Sequence, residues 1–398
     1  MLIAGALQDP VRKLMPGAPA IMVLSFAPIW LAACMNVFSS NPGIWKRFRQ
    51  MYPRIAARTM LFMVALLLAT VVLFKHGIGV WIIGVIGLLG YALPITAMLV
   101  GFMFLRRGLD FNKLVLFYCS ITSIVMIGGP LEYLHLFPDW RALGTSAMGM
   151  YWVRYISSGH TITLIAGFYR SPDVMGWHAA MLVMLSLTML IYGKFGPRWL
   201  WLLLIAWGVL CLLISGRNKM IFMPLVWGIV ATMIYVYVGR GARVIYLALI
   251  GGVMVMALAF AGGQLGVDED YFLYATPTVG KVFERVERHN VGGLLATYDQ
   301  YGFFGEGIGT ASTGRRHSGV AVPHTWQEGG LPKLLVELGV LGLLMSILLA
   351  FTIFKTLHST LKRVPPRSAL LSLQAGLLGI VAANASSFII SQIGRAHV

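Results

Sequence analysis

Charged side chains are scarce in this chain, and acidic ones are the scarcest. Only 11% of its 398 residues are charged, with 14 acidic against 31 basic side chains, whereas a typical soluble domain has about 25% charged residues. This composition excludes an ordinary water-soluble globular protein. Hydrophobic residues make up 58% of the chain instead, and they recur in apolar runs long enough to cross a hydrocarbon core of about 30 Å.

Other features that the sequence lacks exclude further classes of protein. The chain has 3 cysteines, and all of them, Cys34, Cys119 and Cys211, fall within apolar runs. We expect core residues there, which argues against a disulfide framework and a zinc site. The alternating apolar and polar pattern of membrane-spanning β-strands is also missing. The sequence therefore predicts an all-α, polytopic helical membrane protein.

We predict about ten transmembrane helices in a single integral membrane domain over residues 1–398. The predicted spans cover residues 17–38, 59–74, 78–105, 114–129, 176–193, 199–215, 221–239, 244–263, 331–354 and 368–391. The run 78–105 is too long for one upright helix, and we expect Pro94 to break it. Two long polar loops, over residues 130–175 and 264–330, connect the spans on one side.

The distribution of basic residues predicts the orientation of these spans. Most of the net charge of +17 lies in short connections on one side. These connections hold Lys46, Arg47, Arg49, Arg54, Arg58, Arg106, Arg107, Lys113, Lys194, Arg198, Arg240, Arg243, Lys355, Lys362, Arg363 and Arg367. By the positive-inside rule they are cytoplasmic, so we interpret the charge as a membrane-orienting signal and predict no nucleic-acid partner. Both long loops then lie on the opposite side, where function is to be sought.

Both ends of the sequence look incomplete. Arg12 and Lys13 precede the first span on the outer side, which breaks the charge pattern and suggests a missing upstream segment. Residues 392–398 read like a translated sequencing adapter. We expect them to be a non-native tail.

A basic pair lies where one span meets the outer surface. Arg217 follows Ser215 and Gly216 at the end of the span 199–215, and Lys219 lies two residues further on. An arginine at membrane depth costs roughly 2.5–3.5 kcal/mol on insertion scales and usually has a partner. One interpretation is an anion clamp, since a guanidinium binds phosphate bidentately. The other is a charge that reaches the interface and binds nothing.

The second long loop carries another arginine pair. Arg285 and Arg288 lie in an amphipathic stretch that also contains Glu284 and Glu287. These glutamates can pair with the arginines along a solvated helix. The alternative is that one or both arginines bind an anion.

Three glycines, Gly305, Gly307 and Gly309, follow in the same loop. They do not form a dinucleotide fingerprint, because no βαβ unit surrounds them. They predict a turn, either one whose N–H groups approach an anion or a plain flexible one.

A histidine and a glutamate mark the return to the membrane. His324 precedes the span 331–354, and its ordinary pKa near 6.5 suits proton abstraction from a hydroxyl; a structural role is the alternative. Glu337 lies within that span near its outer end, where an ionisable group is a functional candidate or the partner of an arginine.

Asp268 and Asp270 have a spacing that can hold a divalent cation, but a solvated loop is the stronger interpretation. We therefore predict no metal.

Taken in order, these residues resemble the O-antigen ligase and O-antigen or exopolysaccharide polymerase superfamily of bacterial inner membranes. The resemblance covers residues 205–345 well and the rest as topology. Its motifs are Ser215-Gly-Arg217, Arg288 ahead of Tyr301-Gly-Phe-Phe-Gly-Glu-Gly-Ile-Gly309, Pro323-His324-Thr-Trp326 and Glu337-Leu-Gly-Val-Leu-Gly342.

The resemblance implies a fold-C-like glycosyltransferase that takes a glycan from undecaprenyl diphosphate on the periplasmic face. It assigns Arg217 and Arg288 to the lipid diphosphate, with Arg285 as the alternative to Arg288 and Lys219 in support. His324 would activate the acceptor hydroxyl, and Glu337 would belong to the catalytic residues. The resemblance also implies an inverting reaction without metal or cofactor, and a chain-length regulator and a flippase as partners.

Several functions stay open at this point. A polysaccharide polymerase is the first choice, because Gly305 to Gly314 resembles exopolysaccharide polymerases more than ligases. An O-antigen ligase shares the chemistry and differs in its acceptor. A transporter or flippase is a distant alternative, since coupled carboxylates near the midplane and repeated halves are missing. The last alternative is a purely structural subunit without catalytic activity.

Overall fold

The computed structural model describes residues 2–15, 27–106, 110–146, 149, 152–155, 161–237, 291–311, 329–365 and 368–389. The helices of these ranges are α1 Leu2–Leu14, α2 Ala27–Ser39, α3 Ile44–Met51, α4 Pro53–Leu73, α5 Trp81–Arg106, α6 Phe111–Val125, α7 Gly128–Tyr133, α8 Pro172–Tyr192, α9 Arg198–Ile214, α10 Asn218–Tyr237, α11 Gly293–Tyr301, α12 Gly330–Leu361 and α13 Ala369–Ile389. Two short 3-10 turns, Phe74–His76 and Ile78–Val80, join α4 to α5.

Seven helical segments of the described ranges are long and apolar enough to cross a membrane. They are Pro53–His76, Ile78–Phe104, Phe111–Tyr133, Pro172–Tyr192, Lys219–Tyr237, Gly330–Leu361 and Ala369–Phe388. Each overlaps a predicted span, which confirms a helical chain with several segments that are long and apolar enough to cross a membrane. Helix α9 is apolar but has 17 residues, and α2 has 13. The predicted span 244–263 lies outside the described residues, so the total of ten stays a prediction.

The first long loop contains a small antiparallel sheet within this predominantly helical chain. Strands β1 Val153–Tyr155 and β2 Thr161–Thr163 pair with Val153 opposite Thr163. Both strands are rich in β-branched and aromatic residues, which suit a pleated strand. With three residues each, the strands are too short to show the alternation of apolar and polar residues by which a strand is predicted from sequence.

Except for α10 and α12, which run in the same direction, each described span runs opposite to the one before it, so the ends gather on two faces. One, here called the loop face, holds the ends at Leu73, Trp81, Val125, Pro172, Ile214, Asn218, Gly330 and Ile389. Contacts tie these ends together: a Cβ on Gly330 would lie 2.5 Å from a ring carbon of Phe388, and Ser387 contacts the sulfur of Met220. The opposite, basic face holds the ends at Pro53, Arg106, Arg198 and Leu361.

The largest core surrounds α8, which packs against α9, α10, α13 and α6. Its fully buried side chains include Met184, Trp201 and Met223. Small residues let the helices approach closely. A Cβ on Gly208 of α9 would lie 2.9 Å from Cγ2 of Val183. Cys34, Cys119 and Cys211 are buried and unpaired, as predicted.

A second core lies between α4, α5 and α12, around Leu66, Leu73, Ile83 and Leu338. The break expected at Pro94 is wrong, because α5 continues through it. The break occurs instead in α12, where Gly339 has a φ of 67° and a ψ of −176°. This irregular backbone lies nine residues, about two and a half turns, from the N-terminal end of α12 and receives a loop.

Two charged residues of α1, Lys13 and Asp9, are used in internal contacts. Lys13 is 1% exposed and donates to the carbonyl oxygens of Gly167, at 2.9 Å, and Tyr169. Asp9 accepts from the backbone N–H of Arg170 at 3.1 Å. Burial lowers the pKa of Lys13 to about 8, with Glu132 and Asp9 acting in the opposite direction. These contacts fasten α1 to the end of the first long loop.

Candidate functional site

The junction of α9 and α10 brings Arg217 to the loop face. Helix α9 ends at Ile214, and Gly216 takes a φ of 64°, which favours glycine, so the chain turns back within a few residues. Ser215 donates its hydroxyl to the Leu212 oxygen at 2.6 Å, satisfying a carbonyl in the last turn of α9. Arg217 is only 3% exposed. Its guanidinium is withdrawn from water and needs a partner.

That partner is Asp173, in the first turn of α8. Nη2 of Arg217 lies 2.9 Å from Oδ2 of Asp173, and Nζ of Lys219 lies 2.7 Å from Oδ1. One carboxylate therefore faces two cations, one at each oxygen. Ser171 fixes the first turn of α8 by accepting a hydrogen bond from the N–H of Val174. We call Arg217, Lys219, Asp173 and the adjacent Trp152 the arginine cluster.

A glycine on α8 allows this close approach. A Cβ on Gly176 would lie 2.9 Å from Oγ of Ser215 and 3.0 Å from Cγ of Met220. A larger residue at this position would separate α8 from the α9–α10 junction. Asp173, one helical turn earlier, is thereby held opposite the two cations.

Trp152, in the first long loop, covers the other side of the guanidinium. Cζ of Arg217 lies 5.0 Å from the centroid of the Trp152 ring, which is within cation–π distance. The ring adds attraction to the positive charge and excludes water from it. The Arg217 side chain, which Trp152 covers, is 3% exposed, whereas the Asp173 side chain is 24% exposed.

Three donor atoms of this cluster have no hydrogen-bond partner within the described residues. They are Nε and Nη2 of Arg217 and Nε1 of Trp152. The 2.9 Å contact of Nη2 joins opposite charges, but its angle is not that of a hydrogen bond. Buried donors are almost always paired in native proteins. Unused donors beside a buried cation are able to bind an additional acceptor, such as an anionic ligand.

Burial and the nearby carboxylate act in opposite directions on Arg217. Burial lowers the pKa of its guanidinium, and the charge of Asp173 raises it. Arginine stays protonated in proteins even so. The cluster therefore combines two cations with one carboxylate.

A second polar region lies beneath the segment 302–311, here called the glycine loop. The loop inserts into the break of α12: the N–H of Val340 donates to the oxygen of Phe303 at 2.9 Å, and the N–H of Glu306 donates to the oxygen of Val336 at 2.7 Å. On its other side, the N–H of Ile308 donates to the oxygen of Ala69 on α4 at 3.2 Å. These N–H groups are used internally, which favours a packing role over anion binding.

The glycines are needed because the backbones touch. Gly305, Gly307 and Gly309 have φ values of 69°, 98° and 82°. A Cβ on Gly307 would lie 2.5 Å from Cα of Leu73, and one on Gly309 would lie 2.5 Å from the oxygen of Ile83. The plain flexible turn of the sequence interpretation is therefore a tightly packed one.

Two residues of the 3-10 turn that follows α4 hold the glycine loop by its glutamate. Nζ of Lys75 lies 2.9 Å from Oε1 of Glu306 and 3.0 Å from the oxygen of Gly305. Nε2 of His76 lies 2.9 Å from Oε2 of Glu306. Both carboxylate oxygens thus have a partner.

Glu337 is 1% exposed and lies under the same loop. Its Oε2 accepts from the hydroxyl of Tyr91 on α5, and its Oε1 accepts from the N–H of Ala311 at 3.1 Å. The carboxylate joins α5, α12 and the end of the glycine loop. These contacts support a positioning role, and its predicted catalytic role stays a prediction.

The other predicted site residues lie outside the described residues: His324, Arg285 and Arg288, together with Asp268 and Asp270. Within the described ranges, no group of three or more His, Cys, Asp or Glu side chains is arranged to hold a metal ion.

Sequence reasoning missed Asp173, Trp152, Lys75, His76 and Tyr91. Asp173 follows Ser171 and Pro172, a helix-start signal, at the outer end of a span. The alternation of spans puts that end on the same face as Arg217, so this pairing had a signal in the sequence. The other four residues carry no comparable signal.

Comparison with known protein families finds no family model that matches this chain, and no curated protein matches it. The resemblance to the ligase and polymerase superfamily therefore rests on the motifs and stays a prediction.

Proposed function

We propose that this protein polymerises lipid-linked oligosaccharide repeat units into a surface or exported polysaccharide. The glycan is transferred from undecaprenyl diphosphate, on the periplasmic face of a bacterial inner membrane. In this proposal the basic face is cytoplasmic and the loop face is periplasmic. The observation that carries it is the arginine cluster, with two cations on one carboxylate and buried donors without an acceptor.

The location of the cluster suits a lipid diphosphate. Such a substrate has a polyprenyl tail in the bilayer and an anionic head at its surface. Arg217 and Lys219 lie at the end of one apolar helix and the start of another, at the depth of that head. A guanidinium binds phosphate oxygens in pairs, and a lysine adds a point charge.

The same groups would assist the reaction. When the glycan leaves its carrier, negative charge grows on the diphosphate, and a preorganised cation stabilises it. The loss of one such donor typically lowers the rate about 10²–10³-fold. His324 is the proposed base that deprotonates the acceptor hydroxyl opposite the leaving group, and this single displacement inverts the anomeric configuration.

The test is glycan transfer by the full chain in lipid vesicles supplied with undecaprenyl-diphosphate-linked oligosaccharide. Longer glycans and released undecaprenyl diphosphate are measured together. We expect Arg217→Ala to lower both about 10²–10³-fold, and Arg217→Lys to give an intermediate loss because it keeps charge without the planar fork. Arg198→Ala is the matched control, since Arg198 is exposed at the opposite end of α9, and it should leave the rate unchanged.

Three outcomes would contradict the proposal in different ways. Folded wild-type protein that transfers glycan to no acceptor would exclude the glycosyltransferase class. Transfer that persists unchanged in Arg217→Ala would leave the class standing and exclude this site. Retained anomeric configuration in the product would exclude single displacement.

A further inference from the structure

We infer that Asp173 is an internal substitute for phosphate: its carboxylate occupies the anion site of the arginine cluster when no substrate is bound, and the diphosphate displaces it. This inference rests on the proposed function and adds a residue that controls substrate affinity at the same site.

The geometry of the carboxylate is that of a bound anion. Its two oxygens face different cations, at 2.9 Å from Arg217 and 2.7 Å from Lys219. Two oxygens of one phosphate group would meet the same cations in the same way. The cations are thus held at a spacing suited to an oxyanion before any substrate arrives.

The Asp173 side chain is also more exposed than that of Arg217, although its Oδ1 atom is buried. The Arg217 side chain is 3% exposed and is covered by Trp152, whereas those of Lys219 and Asp173 are 16% and 24% exposed. An incoming anion therefore meets Asp173 and Lys219 first. Displacement of Asp173 opens Arg217 without moving the tryptophan.

The donor atoms supply a reason for the exchange. Asp173 balances charge but leaves Nε and Nη2 of Arg217 and Nε1 of Trp152 without an acceptor among the described residues. A diphosphate has more oxygens than a carboxylate, and charge-assisted hydrogen bonds to it are strong. Satisfying these buried donors favours the diphosphate over the internal carboxylate.

Displacement is also less costly for Asp173 than for most carboxylates. Asp173 lies in the first turn of α8, where a negative charge interacts favourably with the helix dipole. It keeps that stabilisation when it turns away from the cations. If it stayed in place, two anions would share one site, which is unfavourable.

The consequence is a competition that lowers apparent substrate affinity. The site can bind its ligand only when Asp173 has moved away. The apparent Kd is therefore the intrinsic Kd divided by the fraction of molecules in which Asp173 has moved. In the empty state, the same carboxylate prevents a buried arginine from standing unpaired, which would be destabilising.

The experiment is isothermal titration of the full chain in lipid nanodiscs with inorganic pyrophosphate at low salt. We expect Asp173→Asn to bind roughly tenfold more tightly than wild type, because it keeps the shape and removes the competing charge. Asp110→Asn is the matched control: Asp110 caps the N-terminus of α6 at the basic face and should leave the affinity unchanged. Asp173→Ser provides a second neutral variant if the first does not fold.

Affinity in both neutral variants that is unchanged or weaker would overturn the inference, because Asp173 would then be unrelated to the site or would only position Arg217. Arg217→Ala separates this from the proposed function: if it binds pyrophosphate like wild type, the proposed site itself is wrong. The titration is repeated with undecaprenyl diphosphate. A gain confined to the inorganic probe would overturn the assignment to the lipid substrate.

Discussion

The arginine cluster and the glycine loop both concentrate charge on the loop face, but their polar groups are used differently. Around the glycine loop, Glu306 has a partner at each carboxylate oxygen, and buried Glu337 also has one at each. In the arginine cluster, the buried guanidinium retains donors without an acceptor in the described chain.

This difference separates a region that holds the fold from one that can hold a ligand. Fully paired buried groups rigidify a structure and have nothing to offer a substrate. Unused buried donors cost free energy, and a native protein that retains them commonly has a function for them. We therefore assign binding to the arginine cluster and scaffolding to the glycine loop.

The largest effect on stability is expected from Gly305→Ala. Gly305 has a φ of 69°, and a Cβ there would clash with the oxygen of Val336 and lie 2.7 Å from that of Leu335. We expect a loss of about 3 kcal/mol or more in unfolding free energy. Gly302→Ala is the matched control, since Gly302 has a φ of 68° but nothing within 4 Å of its Cβ, and it should cost about 1 kcal/mol. The unfolding free energies of both variants are measured in nanodiscs. Equal losses in the two variants would contradict a packing role for the glycine loop.

Glu337→Gln is the next test of the comparison. Glutamine has one acceptor oxygen where the carboxylate uses two, so one of Tyr91 and Ala311 loses its partner. We expect a loss of about 1–3 kcal/mol in stability and a transfer rate per folded molecule within about threefold of wild type. A rate reduced about 10²-fold or more in a variant of unchanged stability would instead establish Glu337 as catalytic.

The smallest effect is expected from Trp152→Phe, which removes a single donor atom. Phenylalanine keeps an aromatic ring for Arg217 and removes the unpaired Nε1–H. We expect stability within about 0.5 kcal/mol of wild type and pyrophosphate affinity lowered about three- to tenfold, the effect of one hydrogen bond. Trp199→Phe, at a residue 65% exposed at the other end of α9, is the control. Unchanged affinity in Trp152→Phe would mean that this donor does not face the ligand.

Hydropathy predicted the seven helices that are long and apolar enough to cross a membrane, because each is a continuous apolar run. The end of the apolar run 199–215 predicted that Arg217 lies at a helix end. Asp173 became its partner through the packing of α8 on the α9–α10 junction, which the small Gly176 permits. The hydropathy of a sequence does not indicate which helices pack against each other in three dimensions.

The position of the helix break shows a second limit. Proline lacks an N–H and usually bends a helix, yet α5 continues through Pro94. Gly339 breaks α12 because the glycine loop inserts there and supplies the oxygen of Phe303 to the N–H of Val340. That compensation comes from a distant segment, so local propensity does not indicate it.

The most direct test is native mass spectrometry of undecaprenyl diphosphate bound to the full chain in nanodiscs. Wild type is compared with Arg217→Ala and with Lys75→Ala, which removes a cation from the glycine loop region. We predict that Arg217→Ala loses the bound lipid and that Lys75→Ala retains it. Lipid retained in Arg217→Ala, or lost in Lys75→Ala alone, would contradict the assignment of binding to the arginine cluster.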